Sequence, residues 1–425
     1  MSIPSTIAAE LRQRVTSGVL QPGDLLESSR LAAAQRGVSR GSVVSAYEQL
    51  VGEGYLVADN GGTRVNPQLP GATTTPVVAT PASTGSDAPA LLRPGVPDSL
   101  GLTSTTWRSA WRRAAAEPRA YPAPGNLRLR QQIAEHLRTT RSVVVDPSAV
   151  FITSGARDGL RQLLVAVPGR IAVEDPGYPM LHRVPRAMGR EVVDTRVDAQ
   201  GIRIDDLAAA TPSVVLVMPN HQYPTGRQMS AARRFELLEW ARSTGAIVVE
   251  DDYDSELRRA HPALVALDPG GQVAMLGSFA KTLSPAIGLG YVIVPERIRD
   301  QVAELATPVS GIVQDAMSNF LADDGVRRHT ARMRRDYDRR RRIFAEVFPE
   351  GMAMDGGLHA VIEVADEASA VARARAAGFG VDGLGSYWSS TTRSGVVVGL
   401  GTHTDERLRE LLLRLRALIG QQGPR

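Results

Sequence analysis

The sequence contains no cysteine among its 425 residues. Disulfides and thiolate metal sites are therefore excluded, no other metal site is predicted, and the composition is compatible with a cytoplasmic protein. No run of about 18 apolar residues is present, and no basic segment followed by an apolar one opens the chain. The sequence thus predicts neither a membrane span nor an export signal.

Lysine is almost as scarce as cysteine. Lys281 is the only lysine in the sequence, and arginine supplies all the other basic side chains of the Lys/Arg type. A desolvated ammonium can lose its proton and condense with an aldehyde, whereas a guanidinium stays protonated. The lysine is flanked by small and hydroxyl residues suited to phosphate contacts, namely Gly277, Ser278, Thr282 and Ser284. The pattern predicts a Schiff-base lysine for pyridoxal phosphate (PLP). The alternative is a lysine on a solvated loop.

The chain is longer than a usual single domain, so two or more domains are expected. Its net charge of +4 is modest, and residues 1–67 carry six arginines and six acids, which balance. Residues 327–342 hold nine arginines and two aspartates. Total charge therefore gives no argument for nucleic acid, and the arginine block has two interpretations, a DNA contact or the solvated face of a long helix.

The first 67 residues show a compact helical pattern. An amphipathic helix is predicted from Ile7 to Gly18, a second from Ser28 to Arg36, and a third that begins after Ser39. The predicted buried stripe of the third helix is Val43, Val44, Tyr47, Leu50 and Val51. Two strand-like segments, 55–57 and 63–65, flank Asn60-Gly61-Gly62, which is a hairpin signal. This order predicts a winged helix-turn-helix.

The stretch SSRLAAAQRGVSRGSVVSAYEQLVGEG within this segment closely resembles the GntR-type winged helix-turn-helix. The resemblance implies that the start of the third helix faces the major groove and phosphates of DNA, through Ser39, Arg40, Gly41 and Ser42. It implies that Ser29 and Arg30 touch the DNA backbone and that Arg64 of the wing reaches the minor groove. Helix N-termini and arginines suit these roles. The alternative is that the polar residues are only helix caps.

A segment rich in Pro, Thr, Ala, Ser and Gly, residues 68–90, is predicted to be a flexible linker. From about Leu91 onward, helical patterns alternate with β-branched runs near 150–152, 170–173, 214–218, 246–249, 273–276 and 290–294. Such alternation predicts a mainly parallel sheet with crossover helices. In such a sheet the ligand lies beyond the carboxyl ends of the strands.

Polar motifs follow five of these runs: Thr153 to Ala156, Glu174 to Pro179, Pro219 to Gly226, Glu250 to Asp254 and Gly277 to Pro285. A glycine turn before a helix is suited to bind phosphate, and an aromatic ring can stack on a flat heterocycle. A buried carboxylate can keep a pyridine nitrogen protonated. Taken singly, Asp251 is explained equally well as a helix cap, Tyr178 as core and His221 as a satisfied buried histidine. Their occurrence together favours a cofactor site.

Residues from 91 onward resemble the fold type I, class I/II aminotransferases, and the whole chain resembles the MocR/GabR-type transcriptional regulators. The resemblance implies that Lys281 forms an aldimine with PLP, Asp251 pairs with the pyridine nitrogen and Tyr253 bonds the ring hydroxyl. It implies that Tyr178 stacks on the ring. Phosphate would be held by Ser154, Gly155, Ala156 and Ser278. Gln222 matches the family's polar loop, and Tyr121 matches a tyrosine that reaches the neighbouring subunit's phosphate, so a homodimer is expected.

Two positions depart from the family pattern. Gly288 stands where an arginine usually contacts the phosphate, which predicts weaker PLP binding or a contact moved to another residue. The segment 395–400 lacks the arginine that binds the substrate carboxylate in aminotransferases, and nearby Arg393 is a possible substitute. Efficient transamination is therefore not expected, although residual activity is compatible with the sequence.

The sequence thus predicts a multidomain protein: a winged helix-turn-helix (1–67), a linker (68–90) and an α/β, PLP-binding effector and dimerisation domain (91–425). The predicted function is a dimeric cytoplasmic regulator that binds double-stranded DNA at two half-sites and senses PLP, an amine or an amino acid through aldimine chemistry. The alternatives are a working aminotransferase with a DNA-tethering head, and a body that dimerises without cofactor.

Overall fold

The computed structural model describes residues 2–59, 61–69, 91–258, 262–268, 270–355, 358–389 and 393–420. Asn60 of the predicted wing turn and residues 70–90 of the predicted linker lie outside the described residues. Backbone contacts divide the chain into two compact units, Met1–Asp87 and Ala88–Arg425, which we term the head and the body.

The head consists of three helices and a two-stranded antiparallel hairpin. Its elements are α1 (Ile3–Thr16), α2 (Ser29–Arg36), α3 (Arg40–Gly52), β1 (Leu56–Asp59) and β2 (Gly62–Val65). Serine side chains cap the second and third helices, since Ser28 accepts from the Leu31 amide at 3.3 Å and Ser39 from the Ser42 amide at 3.2 Å. Gly37 ends α2 in the left-handed conformation, with φ of 63°, and thereby turns the chain into α3.

The core of the head confirms most of the predicted stripe on α3. Val43, Tyr47 and Leu50 are buried, and Ala46 completes the face. The prediction was wrong for Val51, which is 38% exposed, and Val44 is only half-buried. Residues at spacings of three and four share one helix face, and 43, 46, 47 and 50 follow that spacing, whereas 44 and 51 lie beside it.

The body is an α/β unit with a large mixed sheet and a smaller antiparallel one. Its strands are β3 (Val150–Thr153), β4 (Ile171–Asp175), β5 (Val192–Asp198), β6 (Gly201–Ile202), β7 (Val214–Val217), β8 (Ile247–Asp251), β9 (Val273–Ser278), β10 (Gly290–Ile293), β11 (Met352–Ala353), β12 (His359–Glu363), β13 (Asp382–Gly383) and β14 (Gly395–Gly399). Its helices are α4 (Thr105–Ala116), α5 (Leu127–Arg141), α6 (Ala156–Ala166), α7 (Pro179–Ala187), α8 (Ile204–Ala210), α9 (Ala231–Thr244), α10 (Leu264–Leu267), α11 (Arg299–Leu305), α12 (Gly311–Ala322), α13 (Gly325–Val347), α14 (Glu367–Ala376) and α15 (Asp405–Ile419).

The large sheet has the strand order β3-β10-β9-β8-β7-β4-β5-β6. Strands β5, β4, β7, β8 and β9 run parallel, and β10 runs antiparallel to both β9 and β3. The carboxyl ends of β3, β4, β7, β8 and β9 therefore share one edge of the sheet with the amino end of β10. Strands β4, β7 and β8 are buried along their whole length, which explains their continuous apolar runs.

Two strands of this sheet were not predicted. Strand β5 reads Val-Val-Asp-Thr-Arg-Val-Asp and only its central threonine is buried, so it lacks the continuous apolar run of its neighbours. Strand β6 is two residues long and pairs with the end of β5 in a hairpin. Strand β5 is only partly buried and β6 has only two residues, so neither gives the apolar period that sequence analysis detects.

The smaller sheet, in the order β11-β12-β14-β13, lies toward the end of the chain. The first stretch of the body returns onto it, because the Gly399 amide donates to the Leu92 carbonyl at 2.7 Å. The arginine block forms most of α13, whose inner face is buried. One of its arginines, Arg340, is only 5% exposed and ion-paired with Asp98 at 2.7 Å, so the block is not wholly a solvated face.

Within the described ranges, no helix combines the length and the apolar character needed to cross a bilayer.

Candidate functional site

Lys281 lies just beyond the carboxyl end of β9, in a cleft at the shared edge of the large sheet. Its Nζ donates a hydrogen bond of 2.6 Å to the carbonyl of Gly95, in the first stretch of the body. The same nitrogen lies 5.7 Å from the centre of the Tyr178 ring. Desolvation lowers the pKa of Lys281, and the charge of Asp251 only partly offsets this effect. The lysine thus has the environment that favours a neutral, nucleophilic amine.

Asp251 is the last residue of β8, the strand next to β9, and it is 5% exposed. Burial, together with the charges of Asp252 and Asp254, raises its pKa to about 8. Such a carboxyl needs a cationic partner in order to ionise at neutral pH. The charge of Lys281 acts in that direction but does not cancel the shift.

A buried charge network lies behind these two residues. The Nδ1 of His221 lies 2.5 Å from Asp254, and the Nε of Arg258 donates to the other oxygen of Asp254 at 3.0 Å. Although burial raises it, the charges of His221 and Arg258 together bring the pKa of Asp254 down to about 2. The Tyr253 hydroxyl donates to the His221 carbonyl at 3.2 Å, so the network fixes the position of the tyrosine.

The residues predicted to bind phosphate lie at the start of α6 and the end of β9, and we term them the phosphate cradle. Gly155 has φ of 127° and is the residue before the helix, while Ser154 is exposed and Ala156 begins the first turn. Ser278, at the end of β9, is half-buried and its Oγ accepts from the Ala280 amide at 3.1 Å. A Cβ on Gly290 would lie 2.8 Å from the Gly155 Cα and 2.7 Å from the Gly277 carbonyl. The strands therefore approach here as closely as glycine allows, which brings the N–H groups of α6 beside the end of β9.

The two remaining predicted residues, Gln222 and Tyr121, make hydrogen bonds within the chain, and Tyr223 lies next to Gln222. The amide of Gln222 donates to the Pro176 carbonyl and accepts from Thr225, so it braces the loop after β4. The ring of Tyr223 packs against His359 with centroids 4.4 Å apart. The Tyr121 hydroxyl donates to Asp315 of the same chain at 2.8 Å, on the segment between α4 and α5.

The carboxylate-binding arginine expected of an aminotransferase has no counterpart on β14. Strand β14 is buried throughout and reads Gly-Val-Val-Val-Gly. Arg393, the possible substitute, pairs with Glu363, and both side chains are about half exposed. Its guanidinium is therefore already engaged by an acidic side chain.

The residues around Lys281 fit PLP. A largely buried amine with a lowered pKa, a buried carboxyl with a pKa of about 8, an aromatic ring near the amine and a glycine-rich helix N-terminus are the groups that this cofactor requires. When bound, PLP supplies an aldehyde that condenses with amines and a pyridine ring that withdraws electrons.

The predicted DNA-contacting residues gather on one side of the head. Ser39, Arg40 and Gly41 are exposed at the start of α3, and the Nε of Arg40 donates to the Ser29 hydroxyl of α2 at 3.3 Å. Ser42 is partly covered because its hydroxyl lies 2.9 Å from that of Ser39. Arg30 is exposed in the first turn of α2. The two helix N-termini therefore present one polar, cationic surface.

Arg64 lies on β2 of the wing, where it is ion-paired with Asp59 at 3.2 Å. A DNA contact from this arginine requires that the pair open or that Asp59 be repelled by the phosphates. The other interpretation of the polar head residues, helix capping, applies to Ser39, whose hydroxyl does cap α3.

Sequence reasoning missed several residues of the cleft. Asp254 lies in the motif that follows β8 but was given no role, because its partner His221 comes from a distant loop, although Arg258 is only four residues away. Gly95 carried no signal at all, since a backbone carbonyl is not visible in a sequence. Arg93, whose charge lowers the pKa of both Lys281 and Tyr178, belongs to the stretch that follows the linker, where no motif marked it.

Comparison with known proteins agrees with both units. Residues 95–367 match the family of aminotransferases of class I and II, and residues 4–65 match the bacterial regulatory proteins of the gntR family. The HTH-type pyridoxine biosynthesis transcriptional regulator PdxR of Corynebacterium glutamicum is 40% identical, covering 97% of this chain and 95% of its own. The probable rhizopine catabolism regulatory protein MocR of Rhizobium meliloti is 30% identical, covering 79% and 75% respectively.

Among solved structures, an archaeal alanine:glyoxylate aminotransferase has a TM-score of 0.71 at 20% identity, covering 78% of this chain and 90% of that chain. The kynurenine aminotransferase of Pyrococcus horikoshii, solved in complex with PMP, has a TM-score of 0.67 at 22% identity, with the same coverage. At these identities the likeness shows the fold of the body. The predicted fold class, a winged helix-turn-helix followed by a fold type I aminotransferase-like domain, is confirmed.

Proposed function

The chain belongs to the transcription regulators that join a gntR-type DNA-binding domain to a class I/II aminotransferase-like domain, and on this premise we propose that it senses PLP. The observation that carries the proposal is the position of the chain's single lysine. Its amine is largely buried, lies over Tyr178 and interacts with the buried carboxyl of Asp251. A second effector class, amines or amino acids, would act by competing with Lys281 for the aldehyde.

The proposed cofactor contacts are those that the family resemblance implies. Lys281 would bind the aldehyde carbon, Asp251 would pair with the pyridine nitrogen, Tyr253 would bond the ring hydroxyl, and Tyr178 would stack on the ring. The phosphate lies against the N-terminus of α6 and the end of β9, through Ser154, Gly155, Ala156 and Ser278. Gln222 holds the loop beside the ring, and Tyr121 reaches the phosphate of the second subunit in a homodimer. Each of these residues would bind or orient the cofactor, Gly155 through its backbone, and the Asp251 carboxylate would favour the protonated pyridine nitrogen.

The proposed effector is supported by one of the relatives described above. The regulator named for pyridoxine biosynthesis matches this chain over almost its full length. We therefore propose that the genes under control are those of vitamin B6 synthesis and that PLP is both ligand and signal. Binding of PLP would change the conformation of the body and thereby the spacing of two heads on two operator half-sites. A cytoplasmic location follows from this role.

The domain limits proposed here are 1–67 for the DNA-binding domain, 68–90 for the linker and 91–425 for the PLP-binding and dimerisation domain. The compact units of the structure support a division in this region. Analytical ultracentrifugation of the full chain tests the homodimer.

The cofactor proposal is tested by the absorbance of the purified protein after addition of PLP. A visible band is expected, and borohydride reduction followed by peptide mapping should locate the adduct at Lys281. The chain contains no other lysine, so the α-amine is the only competing position and serves as an internal control. Absence of the band, with an unmodified residue 281 after reduction, would overturn the proposal.

The alternative function is a working aminotransferase tethered to DNA. It is favoured by the intact lysine and by the fold shared with aminotransferases. It is opposed by β14, which offers no arginine for a substrate carboxylate. Steady-state assays with amino acids and a keto-acid acceptor separate the two functions. Multiple turnovers support the enzyme, and retained PLP without turnover supports the sensor.

A further inference from the structure

The phosphate cradle receives no cation from the segment that follows Lys281. Gly288 is exposed, and a Cβ built on it would have no atom within 4 Å. Two residues later Gly290 lies against Gly155, so this empty space is close to the start of α6. A phosphate dianion bound there would need its charge balanced from another element.

Arg157 is the second residue of α6 and directly follows the cradle residues. It is exposed, and no hydrogen bond or ion pair to any described residue holds its guanidinium. The positive charge stands in the first turn of the helix, where the helix dipole disfavours cations. Arg161, one turn further along, is by contrast paired with Asp158 at 2.9 Å.

The charge of Arg157 acts on Tyr178, a residue beside Lys281. Burial raises the pKa of Tyr178, and Arg157 is the first of the cations that oppose this effect. Tyr178 lies beside the amine of Lys281, with the amine 5.7 Å from its ring centre. The electrostatic influence of Arg157 therefore reaches the wall of the cofactor cleft while its guanidinium has no protein partner to bind.

We propose that Arg157 binds the phosphate group of the cofactor. It would supply the positive charge that the family's arginine provides at the position of Gly288. This inference rests on the proposed function and specifies its ligand, since a guanidinium on the phosphate selects the phosphorylated form of the vitamin. An unpaired arginine at a helix N-terminus is then explained, because the dianion offsets both the arginine and the helix dipole.

The test compares PLP with pyridoxal, which lacks the phosphate, by titration of the visible absorbance of the full-length protein. Arg157→Gln is expected to weaken PLP binding by about tenfold to a hundredfold, which is the usual effect of losing a charge-assisted hydrogen bond. Its binding of pyridoxal should equal that of the wild type. Arg138→Gln is the matched control, because Arg138 is an exposed arginine on α5 paired with Glu135 at 2.7 Å. It should bind both ligands as the wild type does.

A second readout is the ³¹P resonance of bound PLP, which should shift in Arg157→Gln and stay unchanged in Arg138→Gln. An Arg157→Gln protein that binds PLP within threefold of the wild type would overturn the inference. An equal loss of PLP and pyridoxal would also overturn it, since that pattern marks a structural role. If the wild-type protein forms no PLP adduct, the proposed function itself fails. That outcome differs from the one in which both the wild type and Arg157→Gln bind PLP, which overturns only this inference.

Discussion

The Nζ of Lys281 donates a 2.6 Å hydrogen bond to the carbonyl oxygen of Gly95, which belongs to the first described stretch of the body. The backbone of this stretch is also fixed at Leu91, which bonds with Gly378 and Gly380, and at Leu92, which accepts from Gly399. The residue proposed to carry the cofactor is thus bonded directly to the segment that follows the proposed linker. A change at the amine therefore acts first on this segment.

Cofactor loading is expected to loosen residues 94–97. The Lys281 amine has at least two N–H donors, whereas a lysine nitrogen bonded to the cofactor carbon keeps at most one and is held by the cofactor, so Gly95 is expected to lose its partner. Amide hydrogen exchange in this stretch should rise on addition of PLP. The variant Lys281→Met, which removes the donor, should show the same rise without PLP and no further change with it. Unchanged exchange in both proteins would contradict the coupling.

Replacing Asp251 by asparagine should stabilise the PLP-free protein and weaken its binding of PLP. The pKa of Asp251 is raised from an ordinary value of 3.8 to about 8, so the folded protein prefers the protonated form and loses stability as pH rises from about 4 to 8. Asp251→Asn should therefore raise the Tm of PLP-free protein by roughly 2–5 °C at pH 8, with little difference near pH 4. The same variant should bind PLP more weakly, because an amide cannot stabilise a protonated pyridine nitrogen. Equal Tm differences at both pH values would refute the buried-carboxyl argument.

Asp254 is expected to behave in the opposite way. Its pKa is lowered from the ordinary aspartate value of 3.8 to about 2. Its contribution to stability is therefore fully present at pH values above about 4 and is lost as the pH falls toward 2. Asp254→Asn leaves the buried Arg258 charge without its carboxylate and should destabilise the protein by about 3–5 kcal/mol at pH 7. Urea unfolding measures this loss. The control is Asp198→Asn, whose side chain is 41% exposed in its pair with Arg233 and should cost less than about 1 kcal/mol. Similar losses for both variants would show that burial is not the cause.

Two glycines near the cradle should differ in their tolerance of alanine. Gly290→Ala places a methyl group against the backbone of Gly277 and Gly155, which should cost about 1–3 kcal/mol and weaken PLP binding by displacing the cradle. Gly288→Ala meets no atom within 4 Å but has φ of 59°, so it should cost about 1 kcal/mol and leave PLP affinity unchanged. Unfolding curves and PLP titrations check both. A Gly290→Ala protein with wild-type PLP affinity would show that the close strand approach does not shape the cradle.

Arg40 should be required for DNA binding. It is exposed at the start of α3, where its only described partner is the Ser29 hydroxyl. Arg40→Ala should weaken binding to the protein's own promoter region by about tenfold or more, and loss of a phosphate contact would lower the salt slope by about 1. Arg12→Ala is the control, because Arg12 lies on α1 and is held by Glu53 at 2.6 Å. If the two variants shift DNA equally well across salt concentrations, α3 does not contact DNA in the proposed way.

Much of the architecture was predictable because its signals are local. Ser28 and Ser39 mark helix starts, Gly37 marks a helix end, and the buried parallel strands are continuous apolar runs. Each of these patterns depends on the backbone conformation of a few neighbouring residues, and sequence reports such preferences directly. Strand β5, next to the edge of the large sheet, escaped prediction because its residues are mostly only partly buried and lack an apolar period.

The single lysine, the motifs at the strand ends and the winged helix pattern were determined by the sequence alone. Only the tertiary structure decided that Lys281 bonds Gly95, that Asp254 joins His221 to Arg258, and that Arg340 is buried. Lys281 and Gly95 are far apart in the chain, as are His221 and Asp254, and their pairing depends on how strands and loops are brought together. A sequence shows which residues are ionisable but not which of them are buried. The shifted pKa values of this site arise only when the fold removes water from around its carboxyls and its amine.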